Sequence, residues 1–168
     1  MTRLRVTVMY IIALICQMTL AGIISISNVG PNLILCLTVV IIFVFDDGWK
    51  CFPYALVTAL LLDICVGSCT GAASLSLTFT ILLAYEARKI LNTEQVLPMF
   101  AAGACCTLLY DFEYWIIMKI AGYPMTLLFM LKYQLFYIIY NVIIMYFLFR
   151  YFDRIRIRRE LEEDEVDI

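Results

Sequence analysis

The sequence contains no histidine, the side chain that most often serves as general base or metal ligand near neutral pH. It therefore has no Ser-His-Asp set and no H-E-x-x-H helix, and it also lacks a G-x-S-x-G elbow and a P-loop. No hydrolase or nucleotide machinery is legible, and any enzyme built here would have to work with Asp, Glu, Lys and Tyr. Charge is scarce too. Asp, Glu, Lys and Arg make up 15% of the 168 residues, too little polar surface to cover a water-soluble domain. A net charge of -2 speaks against nucleic-acid binding, which needs a clustered positive surface on an exposed domain. The seven cysteines, Cys16, Cys36, Cys51, Cys65, Cys69, Cys105 and Cys106, show no metal-type spacing. They read as small apolar packing residues, with no metal or cofactor expected.

What the chain does have is hydrophobic sequence, 64% of its residues, arranged in six apolar runs. These are Val6 to Ile26, Pro31 to Phe45, Phe52 to Val66, Ala72 to Tyr85, Val96 to Ile120 and Leu127 to Phe149. Hydrocarbon tolerates helices because they satisfy their own backbone polar groups, so the runs predict an all-α integral membrane protein, a six-transmembrane-helix bundle. The first run is longer than a signal-peptide core and lacks a small-x-small cleavage site, so it reads as a retained anchor. Runs two to four fall short of the roughly 20 residues of a full crossing and are expected to lean on their polar flanks or thin the bilayer. Residues 1–152 form the transmembrane domain and 153–168 a charged tail.

Cations fall at every second break. Arg3 and Arg5 precede the first run, Lys50 lies between the second and third, Arg88 and Lys89 between the fourth and fifth, and Arg150, Arg154, Arg156, Arg158 and Arg159 follow the sixth. Loops rich in Lys and Arg stay cytoplasmic, so both termini are expected inside the cell. The breaks at Ser27 to Gly30 and Gly67 to Gly71 carry no cation and face outward. After Arg159 the tail turns acidic, and its i, i+4 pairs (Arg156 with Glu160, Arg158 with Glu162, Arg159 with Glu163) would suit a short polar helix. A frayed, solvated end is the expected outcome.

Ionisable residues inside apolar runs are costly, which makes each a candidate site. Asp63 falls one turn before Gly67, where it opposes the helix dipole and needs a partner: the free N–H groups of the next helix, Lys119 or Lys132. Asp111 and Glu113 lie two residues apart and so on opposite faces of one helix, which rules out a paired catalytic dyad. One is expected to face the bundle and the other the headgroups or a second protein, in an ion-paired network with Lys119 and Lys132. Gln134, Tyr137 and Asn141 form a stripe at spacings of three and four that should turn inward as interhelical hydrogen-bonding glue. Gly71-Ala-Ala-Ser74 and Ala101-Ala102-Gly103-Ala-Cys105-Cys106 are small-residue patches that permit close helix approach, within the chain or between the copies of a homodimer.

Three segments carry a resemblance to a known family: Pro31-Asn32 followed by Leu33-Ile-Leu-Cys-Leu; Tyr54-Ala-Leu-Val-Thr-Ala-Leu-Leu-Leu-Asp63-Ile-Cys-Val-Gly67-Ser68-Cys-Thr-Gly71; and Tyr140-Asn141 in the last run. In order, length and inferred topology the chain resembles the bacterial rod shape-determining protein MreD family. It departs from that pattern at Tyr54 and Ala55, where a glycine often opens span three, and in its acidic tail. The resemblance implies a fold related to the substrate-binding components of energy-coupling-factor transporters. It also implies a non-catalytic scaffold role in the inner-membrane elongation complex that builds lateral peptidoglycan and sets cell shape. The implied partners are MreC and, through it, the elongation penicillin-binding transpeptidase, RodA and MreB. Ala102 and Gly103 offer a docking face for MreC. The alternative is a substrate-binding membrane subunit of a vitamin-type transporter, motivated by Asp63, Asp111, Glu113, Lys132, Gln134 and several Tyr at the outer end.

Overall fold

A helix that is apolar on every face belongs inside other helices or in hydrocarbon, and Leu33-Ile-Leu-Cys-Leu-Thr-Val-Val-Ile-Ile-Phe-Val44 is such a segment. The computed structural model describes residues 3–24, 30–67, 69–91, 96–124 and 126–166, with side chains for all of these except 20–24, 96, 129 and 158–166. The described residues form α1 (Arg3–Ile24), α2 (Leu33–Val44), α3 (Phe52–Cys65), α4 (Ala72–Ile90), α5 (Val96–Ile120) and α6 (Leu127–Val166). A 3-10 turn at Gly48–Cys51 leads into α3. Residues Ile34 through Val44 of α2 are all buried. The other helices surround α2, neighbour to neighbour in the order α1, α3, α4, α5, α6. Between α6 and α1 the surface opens into an apolar groove that reaches α2 at Leu33 and Leu37.

Both ends of α2 are held by its neighbours. Asn32 caps the start, its side chain accepting the Leu35 N–H at 3.1 Å. At the other end Arg88 of α4 donates to the carbonyls of Phe45, at 2.7 Å, and Asp46, at 3.1 Å. The turn that follows is tight: a Cβ at Gly48 would lie 2.6 Å from Cα of Ile42, so only glycine fits. Trp49 stacks on Phe52 and leans on Tyr85, each ring pair 5.0 Å apart, locking this end against α4.

Two helical segments, Gly48–Cys65 and Met130–Ile157, are long and apolar enough to cross a membrane. The α5 boundaries coincide with the fifth apolar run, while α4 runs five residues beyond Tyr85, to Ile90. The frayed tail is replaced by continuous helix through Val166. No Gly or Pro interrupts residues 127–166, and Arg156 pairs with Asp153 one turn earlier at 2.8 Å. The other charge pairs expected in the tail involve side chains outside those described, as do Ser27 to Val29 and Ser68.

The small-residue patch of α5 packs inward. Ala102 and Cys106 are buried, and a Cβ at Gly103 would strike the thioether of Met145 on α6. Gly103 therefore sets the approach of α6 to α5, and with Ala102 buried the two do not form the open docking face expected for MreC. All seven cysteines are free thiols; Cys36, Cys51 and Cys106 are buried, and Cys65 and Cys105 are exposed.

Candidate functional site

The polar side chains of the bundle gather where α3 ends and α2 and α4 begin. Gly71, with φ +102°, turns the chain into α4 but has no side chain with which to cap it. Asp63 supplies the missing acceptor from the preceding helix. Its Oδ1 accepts the N–H of Ala73 at 3.0 Å and its Oδ2 that of Ser74 at 2.9 Å. Between them the backbone closes tightly, Gly67 N–H donating to the Asp63 carbonyl at 3.0 Å. A Cβ at Gly67 would sit 2.5 Å from that carbonyl oxygen. Asp63, Gly67 and Gly71 are thus one device: a buried carboxylate neutralised by two helix N-terminal N–H groups. Of the candidate partners for Asp63, the N–H groups fill the role.

A second polar clasp holds the start of α2. Gln17 of α1 donates to the Pro31 carbonyl at 3.0 Å and accepts the Leu33 N–H at 2.7 Å. From the other side, Asn141 of α6 accepts the Asn32 N–H at 2.9 Å and donates to Thr107 of α5 at 3.2 Å. Asn141 is 1% exposed, so a single amide ties α2, α5 and α6 together in a dry environment.

The acids of α5 point to different neighbours, as their spacing requires, but neither is given over to headgroups. Asp111 accepts from Gln134 Nε2 of α6 at 2.8 Å, and Glu113 accepts from the Thr80 hydroxyl of α4 at 3.1 Å. The expected ion-paired network with Lys119 and Lys132 is absent among the described residues. Both lysines are exposed, and Lys132 lies 5.4 Å from the centre of the Tyr133 ring. Neutral donors satisfy the acids without the desolvation cost of drawing an ammonium inward. The ion pairs that do form among the described residues, Lys50 with Asp47, Arg88 with Asp46, Lys89 with Glu86 and Arg156 with Asp153, lie toward the other end of the bundle. There, exposed Lys50 holds the Asp47 carboxyl below its ordinary range by hydrogen bonding and by charge.

Above the start of α2 lies a cavity of about 440 Å³, bounded by Gln17 and Gly30 to Asn32, by Leu62, Asp63, Val66, Gly67 and Ala73, and by Tyr110, Asp111, Tyr114 and Tyr137. The site residues proposed from sequence divide accordingly. Asp63, Gly67, Asp111 and Tyr137 line this cavity, with Gln134 and Asn141 bracing its wall from α6. Gly71 shapes the adjoining turn; Glu113 serves the α4–α5 contact, Lys132 stays at the surface, Gly103 packs against α6 and Ala102 is buried.

Sequence reasoning passed over Gln17, Thr80 and Thr107, and it took in the tyrosines of the outer end only as a group. Gln17 carried a signal, being the one amide within the apolar stretch of the first run. Thr80 and Thr107 carried none, since a threonine commonly bonds back within its own helix, as Thr78 and Thr107 do here. Among the described residues no group of His, Cys, Asp and Glu is arranged to hold a metal ion. The chain matches no family model, no curated protein and no solved structure.

Proposed function

We propose that this chain is a six-span inner-membrane protein with both termini in the cytoplasm, and that it acts without catalysis as a scaffold of the MreD kind. It would pack against the membrane helix of MreC and link wall synthesis outside the cell to the MreB filament within. One observation carries the reading. The helices around α2 turn large apolar side chains outward along their length: Ile11 and Ile15 on α1, Leu60 and Ile64 on α3, Phe79 and Leu83 on α4, Leu108 and Phe112 on α5, and Leu135 and Ile139 on α6. So much exposed apolar surface suits lipid and partner helices, and water-soluble monomers rarely carry it. Each in-span acid accepts at least one internal hydrogen bond, Asp63 through both of its oxygens. The contacts of Arg88 with Phe45 and of Phe45 with Phe152, and the groove that Arg5 and Phe152 both line, gather cations from separate breaks toward one end, in keeping with a common cytoplasmic face.

The test is twofold. Reporter fusions at Met1 and at Ile168 should fall on the same side of the membrane, and co-expressed MreC should be retained by the tagged chain in mild detergent. Termini on opposite sides would overturn the topology, and clean loss of MreC would overturn the scaffold. Substitutions for the second assay belong at Leu108 and Phe112, which face outward, since changes at Ala102 or Gly103 would report on folding. The cavity beside Asp111 favours a second reading, a small-molecule binding subunit of a transporter, which ligand retention through purification would support.

A further inference from the structure

We propose that the cavity above α2 is a binding site for a small organic cation, an ammonium group attached to a compact apolar or aromatic body, with Asp111 as its counter-ion. This rests on the second reading for the cavity being a ligand site and adds the class of molecule it takes.

The lining decides the class. At about 440 Å³ the space lies within the range of small-molecule pockets. Two carboxylates and three tyrosines border it, and among the described residues no Lys or Arg does. An anionic ligand would therefore enter a site with repelling charge and nothing to offset it. The two acids are not equivalent. Both Asp63 oxygens are bound to the N–H groups of Ala73 and Ser74, so that charge is already balanced by the α4 N-terminus. Asp111 accepts only the neutral Gln134 amide on Oδ2, and its Oδ1 takes no hydrogen bond among the described residues. A carboxylate in a half-buried site with one open oxygen is suited to accept from an ammonium.

The aromatic wall points the same way. Tyr110 and Tyr114 stack with their ring centres 6.3 Å apart and planes 17° from parallel, and both border the cavity. Tyrosine faces attract a cation through their negative quadrupole and also shelter its apolar substituents. Carboxylate, aromatic wall and missing positive charge thus converge on one chemistry, at the end where α2 begins.

The experiment uses the full chain in detergent and three near-isosteric probes: 2-phenylethylammonium, neutral 2-phenylacetamide and anionic phenylacetate, against sodium chloride at equal ionic strength. The ammonium at millimolar concentration is expected to raise Tm by about 3 °C, the other two by none. In Asp111→Asn, which keeps a partner for Gln134, the apparent affinity for the ammonium should fall about tenfold. Should Asp111→Asn fail to fold, Tyr114→Leu carries the same reading through loss of the aromatic wall. An equal response to phenylacetamide or phenylacetate, or an undiminished response in the variant, would overturn the cation assignment while leaving a ligand site in place. Silence from all three probes would overturn both.

Discussion

Asp63 caps a helix to which it does not belong, its Oδ2 accepting the N–H of Ser74 at 2.9 Å across the turn that separates α3 from α4. The usual division of labour gives that duty to the N-cap residue itself. Here the N-cap is Gly71, chosen for its positive φ, so backbone geometry and hydrogen bonding are supplied by two different residues. Asp63→Ala should leave two buried N–H groups unsatisfied and lower stability by about 2–4 kcal/mol, with Asp63→Asn, which keeps one acceptor, losing about half as much. Thermal unfolding of the purified variants measures both, and equal losses would show that the carboxylate charge matters more than its geometry.

Asn141→Leu keeps the branched shape and heavy-atom number of a 1% exposed side chain but removes the acceptor for the Asn32 N–H and the donor to Thr107. Leaving a buried N–H unpaired costs about 1–3 kcal/mol. The expected result is a lower Tm together with faster hydrogen exchange at Asn32, the amide that the side chain covers. Unchanged exchange at that amide would exclude the clasp as the means by which α6 holds α2.

Two glycines should respond to alanine in different ways. At Gly122, φ is +90° but nothing lies within 4 Å of an added Cβ, so Gly122→Ala should cost only the left-handed backbone penalty, about 1–2 kcal/mol. At Gly48 the added carbon meets the Ile41 carbonyl oxygen at 2.7 Å and Cα of Ile42 at 2.6 Å. The turn itself must move there, and Gly48→Ala should give little folded protein by size-exclusion chromatography.

Arg88 touches a fully exposed carboxylate, Asp46, and two backbone carbonyls. Exposed ion pairs add little, so Asp46→Asn should leave Tm unchanged within error. Arg88→Lys retains the charge but loses the planar guanidinium whose Nη1 donates to both carbonyls while Nη2 reaches the Asp46 carboxylate. It should destabilise by about 1–2 kcal/mol, a difference read directly from paired denaturation curves.

The lengths of the helices were largely legible in the chain, and their places in the bundle were not. Periodic apolar sequence from Val96 to Ile120 gave α5 its bounds, and the Asp63 to Gly71 segment announced a tight turn with a costly acid in it. Lipid is as apolar as leucine, however, so the run from Leu33 to Val44 reads alike whether it faces hydrocarbon or five other helices. Its burial was invisible for that reason. The same ambiguity offered Ala102 and Gly103 as a docking face, when Gly103 meets Met145 and Ala102 is buried. The misplaced lysine network had another cause: pairing Asp111 with Gln134 and Glu113 with Thr80 depends on how α5 is rotated between α4 and α6, which spacing along one helix cannot fix.

At 1.5 Å per residue the 12 residues of α2 span about 18 Å, against a hydrocarbon thickness of about 30 Å. Synthesis proceeds from the N-terminus, so this segment leaves the ribosome before α4, α5 and α6 have been made. Until then it has neither the length to cross on its own nor the walls that later enclose it. On the six-span reading proposed above, its entry is a late event of biogenesis, completed when Asn141 emerges and closes on Asn32.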